Sequence, residues 1–153
     1  MKIRVELDGS IAENEVIIRC NALSEEIQMV QRTLADLAMD QQKFVFYKGD
    51  TEYYLPLERI LFFETEEKMI YAHTADQMYQ AKYRLYELEE FLPGHFMRVS
   101  KSTILNTDKV YSIQRNLTAS SVVEFQNTHK KVFVSRYYYK PLKNKLEEKR
   151  NQL

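Results

Sequence analysis

One cysteine, no tryptophan, three glycines and three prolines are all that 153 residues hold of the types that most often mark chemistry or force structure. The lone Cys20 cannot form an internal disulfide, which fits a reducing compartment. Gly9, Gly49 and Gly94 are isolated, so no glycine-rich loop is present to cradle a phosphate. His73, His95 and His129 are scattered without metal-ligand spacing. No run approaches the ~18 apolar residues of a membrane span, and MKIRVELDGS lacks the apolar segment of a secretion signal. These absences predict a cytoplasmic chain.

A catalytic constellation is also missing. Ser100 and Ser102 lie near His95 in sequence, but serines flanking a basic strand suit anion contact better than nucleophilic attack. Glu64, Glu66 and Glu67 read as a solvated strand end and turn. The chain is expected not to be an enzyme and to need neither cofactor nor metal.

What is present is a globular composition, 44% apolar and 29% charged, long enough to bury a core. The formal net charge of zero hides a strong asymmetry. Residues 1–94 carry 10 Lys and Arg against 18 Asp and Glu, a net of −8; residues 95–153 carry 12 against 4, a net of +8. Such a split points to an anionic partner for the basic part.

The first 43 residues read as strand, strand, helix. Lys2–Leu7 alternates, Asp8-Gly9 signals a turn, and Glu15–Cys20 is a second apolar run. Ser24 is an N-cap candidate, and Ile27, Val30, Leu34 and Leu37 recur at helical spacing to about Met39. That stripe suits packing on its own sheet or on a partner. A boundary is expected at Asp40–Lys43, dividing the chain into 1–43, 44–147 and a tail at 148–153.

From Phe44 short β-rich runs follow: FVFYK and TEYYLP around Gly49-Asp50, then RILFFE, MIYAHT and QMYQAKY. Arg84–Leu92 is a short helix stopped by Pro93-Gly94, and FMRV, STILN, KVYSIQRN, SVVEFQN and KKVFVS are strands. PLKNKLEEKRNQL is a basic helix opened by Pro141 at a first-turn position. Phe62, Phe63, Phe91 and Phe96 are expected in the core. Donors for phosphates and base edges concentrate in Arg98–Ser102, Lys130-Lys131 and Ser135–Lys140, without a helix-turn-helix or zinc-finger pattern.

In their order, ILFFET, a strand ending AHT, KYRLYELEEFLP, FMRVSKSTILN and VFVSRYYYKPLK resemble the LytTR DNA-binding domain of bacterial transcription regulators, over roughly 44–146. The most specific parts are F-x-R-x-x-x-S-x-x-x-N from Phe96 to Asn106 and Val134-Ser135-Arg136. The resemblance implies a mainly β fold with few helices (α+β), built of small antiparallel sheets and here preceded by the β-β-α unit. It implies a sequence-specific regulator that reads double-stranded DNA through loops entering successive major grooves.

Carried over by position, Lys68, Lys101 and Arg136 become base-contact candidates, and Arg98, Ser100, Ser102, Lys130 and Lys140 phosphate-contact candidates. Arg98 suits a salt bridge to the acidic part equally well. Asn106 is expected to hold a turn, and Tyr137–Tyr139 suit either the sheet or the sugar-phosphate edge. Many relatives have histidine where this chain has Ser100, so a base contact or pH response belonging to that histidine is not carried over. Forty-three residues are too few for the receiver domain many relatives carry. The resemblance thus implies a stand-alone regulator, a homodimer on repeated half-sites, with its N-terminal unit open to dimerisation or to a co-encoded membrane inhibitor. The competing reading is a β-rich interaction or sensory module whose basic face meets an acidic partner.

Overall fold

A computed structural model describes residues 1–41 and 43–151, with side chains for all of these but 39–41 and 151. The chain divides into two compact units, Met1–Ala35 and Asp36–Leu153.

In the first unit, Met1–Ser24 contains no strand. Lys2–Leu7 alternates and Glu15–Cys20 is an apolar run, yet neither has a ladder partner, so the expected β-β-α unit consists here of irregular chain followed by a helix. A strand pattern becomes a strand only when a neighbour accepts its backbone bonds. Asp8 closes a turn, its Oδ1 accepting from the Ser10 amide (2.9 Å) and hydroxyl (2.6 Å). Helix α1 (Glu25–Gln41) starts where the sequence indicates: the amide of Gln28 donates to the Ser24 carbonyl and that of Ile27 to the Ser24 hydroxyl. The expected boundary at Asp40–Lys43 includes residue 42, which lies outside the described residues.

The described residues of the second unit form ten strands. β1 (Lys43–Lys48) and β2 (Thr51–Pro56) form a hairpin whose turn uses Gly49 at φ +58°, a conformation that costs glycine nothing. β3 (Phe62–Glu66), β4 (Met69–His73) and β5 (Met78–Ala81) make a meander. Helix α2 (Leu85–Phe91) leads to β6 (Phe96–Ser100) and β7 (Thr103–Asn106). β8 (Val110–Gln114), β9 (Ser121–Phe125) and β10 (Lys131–Val134) complete the strands. The first seven form one antiparallel sheet in the order β2-β1-β5-β4-β3-β7-β6; β10-β9-β8 form a second.

Two cores follow from alternation along the central strands. Phe63 and Ile104 point to one face of the large sheet, packing with Phe46, Leu88 and Phe96 beneath α2. Phe62, Val99 and Leu105 point to the other face, toward Val123, Val134 and Leu142. β7 is therefore buried on both faces along its whole length, which is why STILN reads as nearly continuous rather than alternating.

Helix α3 (Arg136–Asn151) begins five residues earlier than Pro141 suggests, with Pro141 inside it. The amides of Tyr138 and Tyr139 both donate to the Ser135 carbonyl, so the first turn forms ahead of the proline. Burial of Leu142, and of the partly exposed Tyr138, Tyr139 and Leu146 packed around that core, offsets the helix bond that proline removes. Of the expected tail at 148–153, residues 148–151 belong to α3 and 152–153 lie outside the described residues.

Candidate nucleic-acid interface

The run FMRVSKSTILN folds as a hairpin, β6 and β7, with Lys101 and Ser102 at its tip. Its polar middle is a turn, not the interior of a strand. β7 pairs antiparallel with β3 through Glu64↔Thr103 and Phe62↔Leu105. The β6–β7 tip therefore lies at the same sheet end as the β3–β4 tip, Glu67-Lys68. One bond ties them, the Thr65 amide donating to the Ser102 carbonyl at 2.8 Å. The third candidate arrives from another direction: the Ser135 amide donates to the Val99 carbonyl at 2.9 Å, placing the start of α3 beside the end of β6. Lys68, Lys101 and Arg136 thus gather along one end of the large sheet, and all three are exposed.

Of the phosphate candidates, Ser100 and Ser102 share this end, their hydroxyls 3.4 Å apart, and the Ser102 amide donates to the Ser100 hydroxyl. Lys140 is exposed on the second turn of α3. Arg98 is different. Its Nε donates to the Ser100 carbonyl at 2.8 Å, its other nitrogens meet the Lys101 carbonyl and the Glu89 carboxylate, and its guanidinium is thereby used in holding the hairpin tip against α2.

Lys130 does not join the group. Its ammonium donates to the carbonyls of Thr74 (2.9 Å) and Gln77 (2.6 Å) in the β4–β5 turn, at the opposite sheet end. Burial pushes its pKa below the ordinary lysine range, opposed by the nearby carboxylates of Asp76 and Glu64. Beside it, His73 Nε2 lies 2.8 Å from Glu64 Oε1, and the imidazole stacks on Phe62 at 4.3 Å.

Contact with His73 holds the Glu64 carboxyl below its usual range against an opposing contribution from burial. A depressed carboxyl stabilises the fold above the unfolded-state pKa and loses that contribution as pH falls through the folded one. Urea unfolding of the wild type should therefore show a stability loss below about pH 4.5, and Glu64→Gln should reduce that loss.

The β3–β4 turn carries backbone strain. Glu67 (φ +49°) and Lys68 (φ +69°) are both in the left-handed region, as a two-residue hairpin turn of this hand requires, yet neither is glycine or asparagine. A left-handed non-glycine residue costs ~1–2 kcal/mol, whereas glycine adds only ~0.4–1 kcal/mol of unfolded-state entropy. Lys68→Gly should therefore stabilise the fold by about 0.5 kcal/mol in thermal melts.

Sequence reading passed over Lys82 and Arg84. The Ile70↔Ala81 pairing brings the β5–α2 connection to the same sheet end, where both residues line an open groove of about 670 Å³ with Lys68. The basic triplet KYR after β5 was the available signal; only strand order gives it a place. The other candidates resolve cleanly. Asn106 is buried, its Nδ2 donating to the Ile60 carbonyl and its Oδ1 accepting from the Asp108 amide. Tyr138 and Tyr139 pack on the core while Tyr137 is exposed. Among the described residues no helix is long and apolar enough to cross a membrane, and no acidic, histidine or cysteine cluster could hold a metal.

The chain is similar to known proteins. A relative from Staphylococcus aureus (strain NCTC 8325 / PS 47), described as an uncharacterized HTH-type transcriptional regulator, is 28% identical over 148 residues, 95% of this chain and 98% of the relative. One from strain MRSA252, described likewise, is 27% identical over 148 residues with the same coverage. The helix-turn-helix of those descriptions has no counterpart among the described residues, where strands separate each helix from the next. A solved LytTr DNA-binding domain from Bacillus cereus superposes with a TM-score of 0.62 at 22% identity, over 68% of this chain and 95% of that one. The LytTR profile, described as the LytTr DNA-binding domain, matches residues 50–147. The chain belongs to the LytTR family of DNA-binding domains.

Proposed function

We propose that this protein is a cytoplasmic, sequence-specific transcription regulator that reads duplex DNA with the sheet end bearing Lys68, Lys101 and Arg136. The observation that carries the reading is the convergence of those three positions, distant in sequence, on adjacent turns joined by the Thr65–Ser102 and Ser135–Val99 bonds. Lysine or arginine at such tips can meet guanine O6 and N7 in a major groove, arginine with both nitrogens of its fork. In this reading Ser100, Ser102 and Lys140 meet phosphates. Arg98 and Lys130 act as positioning residues in this reading, because their donors are already engaged within the chain. No catalytic step is assigned to any residue.

Residues 44–147 carry the DNA contacts, and residues 1–43 serve self-association, giving a homodimer suited to repeated half-sites. The same N-terminal unit is the surface open to a membrane-held inhibitor.

Selection from a random duplex pool at moderate salt tests the function. Enrichment of one motif is the expected outcome; retention without enrichment favours a basic face for an acidic partner. Lys130→Ala separates positioning from contact. It should lower stability by about 1 kcal/mol yet leave unchanged the slope of log affinity on log salt, which each lost phosphate contact reduces by about 0.9.

A further inference from the structure

Among the described residues the three most exposed large apolar side chains lie on one short segment: Leu7 at 98%, Ile3 at 90% and Val5 at 81%. Between them alternate Lys2, Arg4, Glu6 and Asp8, and Arg4 Nη2 lies 2.8 Å from Glu6 Oε1, so the charges share one side. The turn held by Asp8 and Ser10 ends the segment. Alternating apolar residues beside an unpaired backbone need a strand neighbour to be buried.

The sequence Lys2–Asp8 is symmetric about Val5 in its apolar residues and antisymmetric in its charges. We propose that two copies of this chain pair antiparallel through these segments, with Val5 opposite Val5 across the two-fold axis. This rests on the homodimer reading above and gives it an interface. In that register Ile3 faces Leu7 on one face, while Lys2 faces Asp8 and Arg4 faces Glu6 on the other. Every cross-strand charge pair is then attractive, and each occurs twice.

Alternatives lose on charge. Sliding by two residues keeps the faces but sets Arg4 against Arg4 or Glu6 against Glu6. Parallel in-register pairing opposes every charge to its own kind. A hairpin with Glu15–Cys20 in the same chain can align Val5 with Ile18 and Leu7 with Val16. That alignment puts Arg4 opposite Arg19 and Asp8 opposite Glu15, which is destabilising for directly opposed like charges. The apolar face of the paired ribbon needs a cover, because two strands alone are marginal in water. The stripe of Ile27, Val30 and Leu34 on α1 of the same unit offers one.

Sedimentation equilibrium of the full chain, with charge reversals, tests the interface. Arg4→Glu and Glu6→Arg should each weaken dimerisation by about ten-fold or more, because each turns two attractive pairs repulsive. Arg4→Glu combined with Glu6→Arg should recover the wild-type constant to within about three-fold. In a Cys20→Ser background, Val5→Cys should form a disulfide-linked dimer under mild oxidation and Arg4→Cys should not. A dimer indifferent to the single reversals, or not rescued by the double, overturns the strand interface alone. A chain monomeric at all concentrations, with and without DNA, overturns the homodimer reading as well.

Discussion

Truncating Leu142 to alanine should destabilise the DNA-binding unit by ~2–5 kcal/mol, the usual cost of a cavity at a fully buried leucine. Leu142 is 0% exposed and sits among Val99, Leu105, Val123 and Val134, the residues joining the second sheet and α3 to the large sheet. On a unit of this size the loss corresponds to a fall in melting temperature on the order of 10 °C or more. The functional consequence distinguishes this core from the one beneath α2. Leu142 is in the second turn of the helix that opens with Arg136, and β6 carries Val99 next to the Lys101 tip. Below its melting transition the variant should also bind DNA more weakly, and, in the proposed reading, the deficit should fall at the base position assigned to Arg136. Phe63→Ala empties the other core and should cost about 3–5 kcal/mol in stability without that positional deficit.

Arg136→Ala should remove ~1–3 kcal/mol of specific binding, the usual worth of a good base contact, and leave stability within about 0.5 kcal/mol. The side chain is exposed at the first position of α3, where a cation meets the positive end of the helix dipole. Stability therefore gives no reason for arginine here. Titration of the selected motif and of a scrambled duplex should show the loss on the first and little change on the second. Arg136→Lys should restore charge and non-specific affinity but not the full specific affinity, since lysine lacks the planar fork. Equal losses on both duplexes would make Arg136 a phosphate contact.

Much of the fold was legible because its signals are local. The Gly49-Asp50 hairpin, the meander and the α2 helix stopped by Pro93-Gly94 each rest on turn chemistry and period, and each formed within about three residues of expectation. Where expectation and structure part, a tertiary effect decides. Lys2–Leu7 alternates but lacks a neighbour to pair with. Pro141 looks like a helix start, yet the turn closed on the Ser135 carbonyl and the burial of Leu142 begin α3 earlier.

The candidate site divides the same way. The family resemblance singles out Lys68, Lys101 and Arg136, but only the β3–β7 register and the Ser135–Val99 bond bring them to one sheet end. The same strand order sends Lys130 to the opposite end and brings Lys82 and Arg84 alongside Lys68. A basic cluster in sequence is no guide to which end of a sheet a lysine occupies.

Backbone amide resonances recorded while titrating the full chain with its selected duplex test the central claim most directly. Shifts should concentrate in the three connections at one sheet end, Glu67-Lys68, Ser100–Ser102 and Ser135–Tyr137, with weaker ones at Lys82–Arg84. Shifts concentrated instead at the opposite end, in Thr74–Gln77 and Gln126–Lys130, would contradict it.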